Sequence, residues 1–191
     1  NLASELPEIS EDGLTVTVPL RQDAYYADGT QIKADDIVYA VQRVFDPAVG
    51  SQNTSIAAIK NKDAVRAGEL PYITKKLADT AYAPVSRAFA EEKGDQYGLN
   101  ADNLLASGAF ILQDWNGTDI QWKYVKNPYY WDKDNVYFDE IDIQVVKDAN
   151  TAINLYEAGQ LDGVFLNSDF VPLYEGQPDL VKVNSLRMTN L

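Results

Sequence analysis

The sequence contains no cysteine and no histidine among its 191 residues. Their absence removes disulfides, thiolate nucleophiles, imidazole bases and the usual zinc ligands together. Most hydrolase and metalloenzyme sites are therefore excluded. We expect no metal site and no cofactor, while a site built from paired acids stays open.

Basic residues are also scarce, since 16 Lys and Arg stand against 29 Asp and Glu and give a net charge of -13 at pH 7. Such a surface repels phosphate backbones, so nucleic acid is not an expected partner. No apolar run approaches the roughly 18 to 20 residues of a membrane span. The first ten residues lack the basic start and apolar centre of a signal peptide, but a mature or shortened chain would have lost that signal.

Enough apolar surface remains for a folded core, because 46% of the residues are hydrophobic and 11% are aromatic. The stretch "ADGTQIKADDIVYAVQRVFDP" predicts a turn at Asp28 and Gly29, followed by a helix that ends before Pro47. Asp35 and Asp36 stand at its start, where negative charge complements the helix dipole. Adjacent helical residues point about a hundred degrees apart, so this pair marks a helix start and is not a catalytic dyad.

The rest of the chain alternates strand and helix patterns. Residues 14–20 alternate as a half-buried strand, and "SRAFAEEKGDQYG" predicts a helix closed by Gly94. "NADNLLASG" is typical of a short capped turn. Strands over 110–115 and 120–125, joined through Asn116 and Gly117, predict a hairpin.

The last third predicts a strand over 141–145, a helix ended by Gly159, and a second strand over 163–166. A strand, helix, strand order of this size implies parallel pairing with a right-handed crossover. The fold class is therefore α/β with a mixed sheet.

Two motifs resemble functional sites but have simpler interpretations. "DKDNVYFDEID" imitates a calcium loop at Asp132 and Asp134, yet the third ligand position falls on Val136 and the expected glycine and glutamate are missing, which indicates a solvated acidic turn. The aromatic run "NPYYW", near Trp115 and Trp122, could stack a sugar or a base, but such a cluster beside a hairpin is more often core.

Several separated stretches, in this order, carry a family resemblance: "SEDGLTVTVPLR", "DGTQIKADDIVYAVQRVFDP", "ASGAFILQDW", "KNPYYWDKDNV" and "NTAINLYEAGQLDGVF". Together they resemble the oligopeptide-binding proteins of the OppA type, which are the substrate-binding lipoproteins of bacterial peptide ABC importers. The similarity runs from Leu2 nearly to the C-terminus.

The resemblance implies a periplasmic-binding-protein type II-like fold whose two lobes close on an oligopeptide and deliver it to permease subunits. It implies no bond chemistry and therefore no enzyme. Residues 1–125 would form a subdomain of the first lobe and residues 126–191 its sheet and hinge-proximal part, with the second lobe absent. Location would be the extracellular face of the bacterial membrane, through a lipidated N-terminus absent here, or the periplasm.

Binding peptides of varied sequence needs polar side chains and main-chain groups more than a fixed charge. Two polar stretches at the ends of apolar elements fit that need, although ordinary polar loops would look the same. The candidate ligand-binding residues are Ser51, Gln52 and Asn53, and Asn167, Ser168 and Asp169. We expect this chain to fold but to bind peptide weakly or not at all by itself.

Two departures from the family pattern and two rival functions remain. "GELP" runs directly into "YITKK" near Pro71, where relatives usually have a pair of strands. Lys33 stands where relatives often carry a capping Thr, so the cap must come from Thr30, the backbone or water, at a cost of roughly 1 kcal/mol.

The main rival is a carbohydrate-binding or glycoside-cleaving domain that uses paired acids and the aromatics near Trp131. A purely structural interaction module is the other.

Overall fold

The computed structural model describes residues 2–11, 15–46, 48–50 and 83–182. The chain divides into two compact units, Asn1–Gln144 and Val145–Leu191. The candidate residues Ser51, Gln52 and Asn53 and the junction near Pro71 lie outside the described residues.

The N-terminal unit begins with two short antiparallel strands, β1 (Glu8–Ile9) and β2 (Val16–Thr17). The second lies inside the predicted 14–20 strand and is shorter than predicted. The chain then turns at Gly29, whose φ of 84° suits a residue without a Cβ, and the Tyr129 ring lies within 3.3 Å of the place a Cβ would take. Around this turn Ala24, Tyr26 and Ile32 form a small buried core against Leu2 and Leu105.

Helix α1 (Ala34–Phe45) follows as predicted and buries Ala40, Val41 and Phe45. The side chain of Lys33 makes no capping hydrogen bond at its N-terminus. The Asp36 carboxylate instead accepts the Lys33 backbone N–H at 2.8 Å, as the N3 acid of a capping box does. Asp35 and Asp36 therefore lie in the first turn of the helix, as predicted from the sequence.

Helix α2 (Arg87–Lys93) begins at Ser86, whose side chain accepts the Phe89 N–H, and ends at Gly94. A 3₁₀ turn at Ala101–Asn103 is capped by the Asn100 side chain. Both confirm the sequence prediction.

A three-stranded antiparallel sheet closes the unit, in the order β3 (Phe110–Gln113), β4 (Gln121–Lys126) and β5 (Glu140–Gln144). Phe110 pairs with Lys126, which confirms the hairpin, and Trp122 pairs with Ile143. Asn127 is completely buried beside the sheet and donates its side-chain amide to the Gly108 carbonyl at 2.8 Å.

The C-terminal unit contains helices α3 (Ala149–Glu157) and α4 (Val171–Tyr174). Helix α3 starts at Asp148, whose carboxylate accepts the Thr151 N–H at 2.8 Å, and Ala152 and Ile153 are buried. Two tyrosine hydroxyls tie the unit together, from Tyr156 to Asp179 and from Tyr174 to Glu157, each at 2.6 Å.

The predicted strand over 163–166 is wrong. These residues form no strand, and every strand pairing within the described ranges is antiparallel. Extended residues become a strand only when a neighbouring strand pairs with their backbone. The apolar pattern of 161–166 could not indicate whether such a neighbour is present.

Candidate ligand-binding site

The segment that leaves α3 has a backbone that is unpaired within the described residues. Gly159, at a φ of 70°, donates to the Tyr156 carbonyl and turns the chain out of the helix, and Gln160 donates to Leu155. From there residues 161–166 make no backbone or side-chain hydrogen bond within the part of the chain that the structure describes. Their N–H and C=O groups are available to a ligand or to another strand.

An aromatic side chain lies in the middle of this segment. Phe165 is fully exposed, whereas its neighbours Val164 and Leu166 are half-buried. In an extended chain alternate side chains point to opposite sides, so Phe165 faces solvent while its neighbours face the unit.

The predicted residues Asn167, Ser168 and Asp169 lie side by side in the turn that follows. The Asn167 side-chain oxygen accepts the Asp169 N–H at 3.1 Å, which forms an Asx turn. Its backbone carbonyl accepts the N–H groups of Phe170 and Val171 at 3.2 Å. All three polar residues are exposed, and within the described ranges the Asn167 amide nitrogen has no partner, so it is free to donate.

Segment 161–166 and turn 167–169 together offer main-chain groups, an amide donor, a carboxylate and an aromatic ring. This set suits an extended polymer with its own amide groups, because each unpaired N–H and C=O can exchange hydrogen bonds with it. The sequence identified the turn. It did not predict the unpaired backbone of the segment, because the apolar pattern there indicates a strand.

The aromatic run "NPYYW" is part of the scaffold. The Arg21 guanidinium lies 3.7 Å from the centroid of the Trp131 ring and makes a bidentate pair with Asp23 at 2.8 and 2.9 Å. This pairing lowers the pKa of the Asp23 carboxyl. Because Arg21 stacks on the Trp131 ring, that face is not available to a sugar.

The acidic turn near Asp132 is a structural feature as well. A 3₁₀ turn spans Lys133–Asn135, and the Asn135 amide donates to Asp132 at 2.6 Å. No group of three or more acidic side chains that could hold a metal ion occurs in the described ranges. Within the same residues, no helix has the length and apolar character needed to cross a membrane.

Comparison with known proteins gives one family match. The model of the bacterial extracellular solute-binding proteins, family 5 middle region, matches residues 1–191. A dipeptide-binding protein of Lactococcus lactis is 29% identical over 188 residues, which are 84% of this chain and 34% of that protein. The chain thus spans about a third of the length of this curated relative.

Solved structures agree with this match. OppA of Listeria monocytogenes bound to peptide superposes with a TM-score of 0.82 at 33% identity, covering 94% of this chain and 40% of that one. The substrate-binding domain of an oligopeptide ABC transporter from Bacillus anthracis gives 0.82 at 36% identity, covering 93% and 39%. The predicted α/β binding-protein fold is confirmed, and the carbohydrate alternative finds no support among these relatives.

Proposed function

The chain belongs to the bacterial extracellular solute-binding proteins of family 5, and from this premise we propose that it is part of a protein that binds extracellular peptides for the permease of an ABC importer. Its similarity to proteins named for dipeptide and oligopeptide binding carries the proposal. The ligand is held without covalent chemistry, so the protein is not an enzyme.

We place one wall of the binding site at segment 161–166 and turn 167–169. An extended peptide exchanges main-chain hydrogen bonds with the unpaired groups of the segment. Because such bonds do not involve the side chains of the peptide, peptides of varied sequence can bind. Phe165 covers an apolar side chain of the ligand, and the Asn167 amide donates to a peptide carbonyl.

The wider arrangement is also a proposal. Residues 1–125 and 126–191 are parts of the first lobe, and Ser51, Gln52 and Asn53 contribute polar contacts to the ligand. The full-length protein works at the extracellular face of the bacterial membrane, held by a lipidated N-terminus, or in the periplasm. Its permease subunits receive the peptide.

The test is calorimetry with a defined mixture of short peptides on a version of the protein extended through a second lobe. We expect binding that Phe165→Ala weakens, while Phe138→Ala, which removes another exposed phenylalanine, leaves it unchanged. Peptides N-methylated along the backbone should bind less tightly, because methylation removes the N–H donors.

Three results would count against the proposal. Absence of binding by any peptide would overturn the function, and equal binding of N-methylated peptides would overturn the backbone mode. Mass spectrometry after the titration should recover the peptides intact, since cleavage products that disappear with one Asp or Glu substitution would indicate an enzyme.

A further inference from the structure

Cations and aromatic rings alternate across α1, α2 and the turn after them. The Arg87 guanidinium carbon lies 4.5 Å from the Tyr39 ring centroid, and that of Arg43 lies 4.8 Å from the Tyr97 centroid. Tyr97 meets Phe89 edge to face at 6.3 Å. The Lys93 ammonium lies 5.1 Å from the Phe89 ring. We call these six residues the cation–aromatic strip.

Among the described residues, the two arginines of the strip have no carboxylate partner. The other described cations that form ion pairs do so with nearby acids, including Arg21 with Asp23 and Lys93 with Glu92. Within the described ranges neither Arg43 nor Arg87 forms an ion pair or a side-chain hydrogen bond. These two guanidinium groups therefore lie on one surface without an ion pair among the described residues, in a chain whose net charge is -13.

A contact with an aromatic ring does not use the N–H donors of a guanidinium. When a ring packs on the flat face of the group, the donors lie in the plane of the group and remain available to a carboxylate. Such a group is held in place before any partner arrives, so less side-chain entropy is lost when a carboxylate takes two of its hydrogen bonds.

We propose that the cation–aromatic strip is a docking surface for a carboxylate-bearing segment of a protein partner. Arg43 and Arg87 each receive a carboxylate by paired hydrogen bonds, and Tyr39 and Tyr97 supply the amphipathic contact area typical of protein interfaces. Elsewhere the acidic chain repels such a partner, so the strip fixes both the place and the orientation of docking.

A membrane surface fits the strip less well than a protein does. Lipid headgroup recognition uses clusters of about four to eight basic residues, each contributing about 1 kcal/mol. The strip offers three, one of which is already paired with Glu92, against a strongly negative whole molecule. Carboxylates held in a protein segment can instead match the guanidinium geometry.

The test uses hexaglutamate as the probe, hexaglutamine as its uncharged match, and phosphatidylglycerol vesicles for the membrane. Titration of isotope-labelled protein is followed by NMR at the arginine Nε–Hε groups. We expect hexaglutamate to move the Arg43 and Arg87 signals and to leave Arg21 unmoved. We expect no response to hexaglutamine and no sedimentation with vesicles. Raising the salt should weaken the response.

Substitutions supply the second measurement. Arg43→Gln and Arg87→Gln should each weaken hexaglutamate binding about tenfold, while Arg21→Gln, which removes a stacked but already paired arginine, binds as the wild type does. The proposal is overturned if hexaglutamate moves neither strip arginine, or if Arg21→Gln weakens binding equally. If the wild type binds vesicles and the variant that carries both Arg43→Gln and Arg87→Gln does not, the strip binds a membrane and the proposal is also overturned. If a variant does not fold, the NMR titration of the wild type still tests the proposal.

Discussion

Tyr26 is a buried tyrosine whose hydroxyl has no hydrogen-bond partner among the described residues. The side chain is 1% exposed, and its hydroxyl makes no hydrogen bond within the described ranges. Removing an unsatisfied buried polar atom returns its desolvation penalty. We therefore expect Tyr26→Phe to leave the free energy of unfolding unchanged or to raise it by up to about 1 kcal/mol, measured by urea denaturation at pH 7. A loss above that size would reveal a partner for the hydroxyl.

The same residue predicts a dependence on alkaline pH. Burial raises the pKa of Tyr26, and the nearby Asp36 carboxylate adds to the shift. A group whose pKa is raised on folding contributes stability that is complete below its unfolded pKa, about 10 for tyrosine, and is lost above it. The wild type should therefore lose stability relative to Tyr26→Phe above pH 10, by up to about 1.4 kcal/mol per pH unit. Parallel urea midpoints from pH 8 to about 11 check this.

Asn127 makes the opposite case, because its side chain is buried and its polar atoms have partners. Its amide nitrogen donates to Gly108 at 2.8 Å and its oxygen accepts the Tyr129 N–H at 3.0 Å. Asn127→Ala leaves the Gly108 carbonyl and the Tyr129 N–H without their hydrogen bonds to this side chain. We therefore expect the free energy of unfolding, measured by urea denaturation, to fall by about 2 to 4 kcal/mol. Asn135→Ala, at an exposed asparagine, is the control and should cost less than about 1 kcal/mol. Equal losses would contradict this account of Asn127.

At the scale of an element, the start of α1 has a weak N-cap. Lys33 has the extended backbone of a cap residue but its side chain makes no capping bond. Lys33→Thr should stabilise the protein by about 0.5 to 1 kcal/mol through a new hydroxyl acceptor. Lys33→Ala separates this effect from simple loss of the lysine, and should give no such gain. Thermal or urea unfolding of the pair decides, and equal behaviour of the two variants would contradict the capping argument.

The hairpin loop depends on Gly117 for a different reason. Its φ is 102°, and a Cβ there would lie 2.5 Å from the Leu99 carbonyl oxygen. Gly98 also has a positive φ, 79°, but open space around it. We expect Gly117→Ala to cost at least about 2 kcal/mol and Gly98→Ala about 1 kcal/mol, measured by urea denaturation. Similar costs would mean that the loop moves away from Leu99 without strain.

These elements also show what the sequence could predict. The limits of α1 and the β3–β4 hairpin depend on neighbours in the chain, such as Asp36 and the Asn116–Gly117 turn, so local patterns predicted them. Residues 163–166 depend on a partner strand that local patterns do not describe. For the same reason Asn167, Ser168 and Asp169 could be proposed from their position after an apolar run, while the unpaired backbone before them could not.

At the scale of the whole molecule, the net charge and the family membership differ in how far the sequence alone reveals their consequences. The arginines of the cation–aromatic strip lie on two helices that are far apart along the chain. They could therefore be recognised as one surface only once the fold had brought α1 and α2 together. The family, in contrast, could be predicted from the sequence because its motifs are contiguous and occur in a fixed order.

The remaining prediction concerns peptide affinity. This chain covers 34% of the Lactococcus lactis relative and 40% of the Listeria monocytogenes structure. If the ligand lies between two lobes, one wall gives part of the contacts while the peptide still loses its freedom. Association costs on the order of 4 to 15 kcal/mol before any net affinity appears, so half of the contacts give far less than half of the binding free energy. We therefore expect these 191 residues to bind the peptide mixture far more weakly than the version extended through a second lobe. Calorimetry on both, at equal concentration, makes the comparison. Equal and tight binding would place the whole site within this chain, on the unpaired segment 161–166 and the turn after it.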